Sequence, residues 1–92
     1  MKFLRPISDP QYSLTLHKDY TFTIQAPCGQ VAGYAECLSN SIFENSFDDL
    51  GECDSDENIQ LIKRVMTNAM FCYFRGGRFL LESSTHHNIL AA

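Results

Sequence analysis

The chain has 92 residues, a net charge of −4 and a hydrophobic content of 45%, with seven Phe and four Tyr. This length makes one domain, 1–92, and supports a modest core that buries about 60% of the unfolded surface. No apolar run approaches the roughly 18 residues of a membrane span. Arg5, Pro6 and Asp9 interrupt the N-terminal segment too early for a signal peptide, so the expectation is a monomeric cytoplasmic protein away from membranes.

The segments "YSLTL" (12–16) and "YTFTI" (20–24) alternate strictly. Tyr12, Leu14 and Leu16 share one face, as do Tyr20, Phe22 and Ile24, and His17-Lys18-Asp19 has the length of a connecting turn. This predicts an antiparallel hairpin with one apolar face. "QAPCGQ" (25–30) signals a turn, and "VAGYAEC" (31–37) a third strand in which Gly33 marks a bulge or a close backbone approach. Ser41 to Glu44 reads as a capping box that opens a short helix with Phe43, Phe47 and Leu50 on one face, closed by Gly51. A second helix is expected from about Asp56 to Arg75, capped by Asp54 or Ser55, with Ile59, Ile62, Val65, Met66, Ala69 and Cys72 as its core stripe. Gly76 ends it, and "RFLLES" (78–83) forms a final strand. A tail over 84–92 begins polar and flexible and docks through Ile89 and Leu90. The fold class is α+β: an antiparallel sheet of three or four strands with two helices on one face, in the order ββ(β)ααβ.

Charge is unevenly spread. No Lys or Arg lies between Lys18 and Lys63, and eight acids occupy Glu36 to Glu57, whereas Asn58 to Glu82 holds four bases and one acid. Glu44, Asp48, Asp49, Glu52 and Asp54 form a candidate surface for a basic partner, against the alternative of a solvated loop. On the expected second helix, Arg64, Asn68, Phe71 and Arg75 fall at i, i+4, i+7 and i+11, a stripe away from the core face. Lys63 flanks it and Arg78 follows. Arginine beside an aromatic binds phosphate and stacks on bases, so these residues form a candidate partner or RNA surface. The alternative is that Phe71 packs beneath the tail. "FCYFRGGRF" (71–79) lacks the aromatic that an RNA-recognition motif carries after its first Arg-Gly.

The other chemistries are poorly supplied. Cys28, Cys37, Cys53 and Cys72 are separated by gaps of 9, 16 and 19. With no CxxC pair they read as free, buried thiols. A metal site with His17, His86 or His87 lacks the short-spaced ligand pair that starts a zinc cage. Cys28 or Cys37 with His17 has nothing to bring nucleophile and base together. Asp48 and Asp49 are adjacent and diverge on a helix. "APCGQVAG" lacks the Lys-Ser/Thr of a phosphate loop. No catalytic residue, cofactor or metal is expected.

In size, charge layout and absence of catalytic motifs the chain resembles the small anti-CRISPR inhibitors carried by bacteriophages, a class without a common fold. The resemblance implies a non-enzymatic protein that docks on a host ribonucleoprotein such as a CRISPR–Cas surveillance complex. The acidic segment would face basic protein and the stripe would touch guide RNA; free DNA is disfavoured by the net charge. The alternative is a bacterial housekeeping or regulatory domain acting through protein–protein contacts.

Overall fold

The computed structural model describes residues 1–85 and 87–92. Seven strands and one α-helix are found among them: β1 Ser13–Leu16, β2 Thr21–Ala26, β3 Gly29–Cys37, β4 Phe43–Phe47, α1 Glu57–Asn68, β5 Phe71–Arg75, β6 Arg78–Glu82 and β7 Leu90–Ala91, with a 3-10 turn at Gly51–Ser55. The α+β class holds. The arrangement differs from expectation: β1-β2-β3-β4 form one antiparallel sheet and β5-β6-β7 a second, with a single helix in place of two.

Backbone bridges join the two sheets into a circuit. At one seam Phe43 N–H donates to the Met70 carbonyl (3.0 Å) and Cys72 N–H to the Ser41 carbonyl (2.9 Å). At the other, residues 2–5 act as an eighth member. Lys2 bridges Ser13 and Arg5 bridges Ala91, and Leu4 N–H donates to the Ala91 carbonyl at 2.7 Å. Closure of this kind removes the open edges that a small antiparallel sheet would otherwise present. Leu14, Phe22, Ile24, Val31, Phe79, Leu81 and Leu90 fill the interior. Residues 89–92 of the expected tail are built into the fold: Leu90 and Ala92 are buried and Ile89 packs against the core.

The first three strands follow the alternation read from the sequence, except that Tyr20, expected on the apolar face with Phe22 and Ile24, lies in the turn before β2 with φ +66° and is 53% exposed. Gly33 is the close approach: a Cβ there would meet the Ser46 carbonyl oxygen at 2.2 Å and the Phe22 ring at 2.6 Å. The expected helix over 41–50 is instead β4. Phe43 and Phe47 are four apart, a spacing that suits one helix face and one strand face equally. Pairing with β3, from Cys37↔Phe43 to Gly33↔Phe47, decides for the strand. Ser41 has a φ of +66°, outside the extended region of an N-cap.

The expected long helix divides. Asp56 caps α1, its carboxylate accepting from Ile59 N–H at 3.0 Å. Ile59, Ile62 and Met66 are buried as the apolar stripe required. Ala69 then turns extended (φ −70°, ψ 138°), and the aromatic-rich "FCYFR" becomes β5, a composition that suits a pleated surface better than a helix. Tyr12 Oη donates to both oxygens of Asp56 (3.0 and 2.8 Å), tying the helix start to the approach to β1. The helix therefore closes one end of the circuit, the end where β1 begins and β4 finishes.

The cysteines are not free. Cys28–Cys53 joins the β2–β3 turn to the 3-10 turn, with Cα atoms 5.2 Å apart. Cys37–Cys72 joins the end of β3 to β5, with Cα atoms 5.8 Å apart. Partners 25 and 35 residues apart meet only through the tertiary fold, so their spacing carried no sign of the pairing.

Candidate functional site

The stretch "FCYFRGGRF" is a β-hairpin. Gly76 and Gly77 have φ of +57° and +76°, as a two-residue type I′ connection requires, and Arg75 pairs directly with Arg78. Alternation puts Cys72 and Phe79 inward, and Phe71, Tyr73 and Arg75 on the outer face with Arg78, Leu80 and Glu82. The outer face carries a groove of about 400 Å³ lined by Tyr73, Arg75, Leu80, Glu82, His87 and Asn88. A second hollow against Arg75, Gly76, Arg78, Leu80 and Asn88 continues it around the turn. His87 Nδ1 meets the Glu82 carboxylate, so the groove is basic at the turn and closed by an acid–imidazole contact at its other end. Arg75 and Arg78 are exposed, and no ion pair to either is present among the described residues.

The helical stripe is not one surface. Arg64 and Asn68 are exposed on α1 and line a separate hollow of about 280 Å³ with Leu61, Val65, Ser83 and Ile89. Lys63 is half-buried, its carbonyl accepting from the Thr67 hydroxyl. Phe71 is half-buried on β5, opposite Glu82. A break at Ala69 resets the period from 3.6 to 2, so the i+7 and i+11 positions no longer follow Arg64. Arg75 and Arg78 come together instead. Tyr73, Leu80 and Asn88 join them, residues that sequence reasoning missed. The Gly-Gly pair between two aromatic strand segments was the signal for that hairpin.

The five acids are all exposed, but no α-helix carries them. Glu44 sits on β4 directly opposite Glu36 of β3, a like-charge pair that opposes folding slightly. The Tyr34 hydroxyl, on the same face, donates to Glu36. That hydrogen bond, followed by burial and the charge of Glu36, pushes the Tyr34 phenol up to about 12. Asp48 and Asp49 follow β4, with Asp49 accepting from Gly51 N–H at 2.8 Å. Glu52 and Asp54 lie on the 3-10 turn, where Gln60 Nε2 donates to the Asp54 carbonyl at 2.7 Å.

Among the described residues no group of three or more His, Cys, Asp or Glu side chains is arranged to hold a metal, and none of the four cysteines is a free thiol. His17 Nε2 lies 2.8 Å from the Thr23 hydroxyl, and His86 lies outside the described residues. No helix among them is long and apolar enough to cross a membrane.

No protein-family model matches the chain, and no curated protein matches it. A solved structure is similar: the crystal structure of a DUF4847 family protein from Bacteroides vulgatus ATCC 8482, with a TM-score of 0.67 and 18% sequence identity. The match covers 88% of this chain and 55% of that one, so the chain spans about half the length of the structure it resembles. At this identity the likeness shows the fold alone.

Proposed function

We propose that the protein is a non-enzymatic binding domain that works outside a reducing cytoplasm and holds the carboxylates of an acidic protein segment between Arg75 and Arg78. The supporting observation is that these two exposed arginines stand directly opposite each other in the cross-strand register. Like charges directly opposite each other destabilise a sheet. A carboxylate lying between them reverses that term, and guanidinium presents it with paired donors. Tyr73 and Leu80 supply apolar contact along the same groove. A net charge of −4 opposes the long polyanion of a nucleic acid more than a short acidic segment. Two disulfides are of the kind that persists in oxidising compartments.

A second reading rests on the exposed acids Glu44, Asp48, Asp49, Glu52 and Asp54. They suit the basic channel of a nucleoprotein machine such as a CRISPR–Cas complex, with Arg75 and Arg78 touching guide RNA. Amide chemical-shift mapping separates the two. A short Asp/Glu-rich peptide with one Phe is expected to shift Tyr73, Arg75, Arg78 and Leu80, and a single-stranded RNA oligonucleotide to leave them in place. The reverse pattern favours the nucleoprotein reading.

A further inference from the structure

The circuit is closed by α1 at one end and open at the other. The open end holds a cavity of about 190 Å³ lined by Leu16, His17, Lys18, Tyr20, Ala35, Cys37, Phe43, Phe74 and Phe79. Its floor is core: Phe43, Ala35 and Phe79 are buried. Its rim is aromatic and uncovered, with Tyr20 53% and Phe74 64% exposed. No other aromatic side chain among the described residues is so exposed a large hydrophobic group. Phe74 leans on Phe79 with ring centroids 5.0 Å apart, so rim and floor are continuous.

Tyr20 is the unusual residue. Its φ is +66°, at the turn position where a left-handed residue, ordinarily Gly or Asn, completes a hairpin loop. Its N–H donates to the His17 carbonyl (3.2 Å) and its carbonyl accepts from Ala35 N–H (2.8 Å), which fixes the backbone beside the cavity floor. A bulky, half-exposed side chain held in this region is the kind of strain that collects at binding sites. Mouths of small barrels are where such folds take small ligands.

We infer that the open end binds a small apolar carboxylate, with the apolar chain between Tyr20 and Phe74 and the carboxylate at Lys18. The floor offers no polar side chain to satisfy a sugar. Beside His17, the lining holds the Lys18 ammonium and no carboxylate, which suits an anionic head group. The cavity is below the roughly 300–1,000 Å³ of drug-sized sites, so the ligand is short and partly exposed. The site is separate from the outer groove of the β5–β6 hairpin, since Phe74 and Phe79 alternate to the opposite face from Tyr73 and Arg75.

Octanoate and 1-octanol are the probes, titrated into the disulfide-intact protein and followed by amide and methyl chemical shifts. Octanoate is expected to shift Leu16, Tyr20, Phe74 and Phe79, and to bind about threefold more tightly than octanol. Lys18→Ala should abolish that preference while leaving octanol unchanged. Tyr20→Gly should weaken octanoate and octanol alike, because it removes one wall of the apolar site. The inference is overturned if octanoate leaves the mouth unshifted at millimolar concentration, if the two probes bind equally to the unaltered protein, or if Tyr20→Gly binds octanoate as tightly as the unaltered protein.

Discussion

Cys37 and Cys72, 35 residues apart, are bonded across the seam where the β3–β4 hairpin meets β5. Few backbone bonds hold that seam, so the covalent link does much of the joining. Cross-linking loops of 25 and 35 residues stabilises by about 3–4 kcal/mol each, chiefly by restricting the unfolded chain. Cys37→Ala with Cys72→Ala should therefore lower unfolding free energy by about 2–4 kcal/mol in urea melts, and reductant should reproduce part of the loss in the unaltered protein. Equal melts with and without reductant would show that the thiols are unpaired in solution.

Gly33 lies beneath the Phe22 ring, which in turn meets Phe47 edge-on with centroids 4.9 Å apart. Adding a methyl group forces the ring or the β3–β4 backbone to move. Gly33→Ala should destabilise by about 1–3 kcal/mol, read as a lower denaturation midpoint with an unchanged slope. A neutral result would mean that β4 does not run beside Gly33.

Tyr34 gives a pH signature. Its folded pKa of about 12 lies above the ordinary 10.0, so the folded chain holds the phenolic proton more tightly than the unfolded one. The contribution to stability is full below pH 10 and is lost as pH rises toward 12. Ultraviolet titration should show a phenol ionising near pH 12. Tyr34→Phe should remove that step, and Glu36→Gln should bring it back toward the ordinary value. Ionisation of Tyr34 at its ordinary value of 10.0 would contradict the Glu36 hydrogen bond.

The first hairpin, the third strand and the buried face of α1 were legible because Leu14, Phe22, Ile24, Ile59, Ile62 and Met66 repeat at periods that only one secondary structure satisfies. Phe43 and Phe47 satisfy two, and the partner strand that chose between them is remote information. The helix stripe failed for a related reason: Cys72 and Phe71 continue the helical period past Ala69 by coincidence, and "RGG" was read as a helix stop when it is a hairpin turn. The disulfides could not be read, since Cys28 and Cys53 are brought together only by the placement of the 3-10 turn. Of the candidate site, Arg75 and Arg78 stand beside an aromatic stretch in the sequence, but their pairing and the groove beside Tyr73 and Leu80 belong to strand register, which composition does not encode.

The binding reading is tested most directly by the dissociation constant of the acidic peptide for the unaltered protein and for Arg75→Glu with Arg78→Glu, with thermal melts in parallel. Both positions are exposed and flank a turn whose glycines are untouched, so the melt should hold. Affinity should fall by at least about tenfold, or 1.4 kcal/mol. An unchanged dissociation constant with an unchanged melt would contradict the assignment of this hairpin as the binding surface.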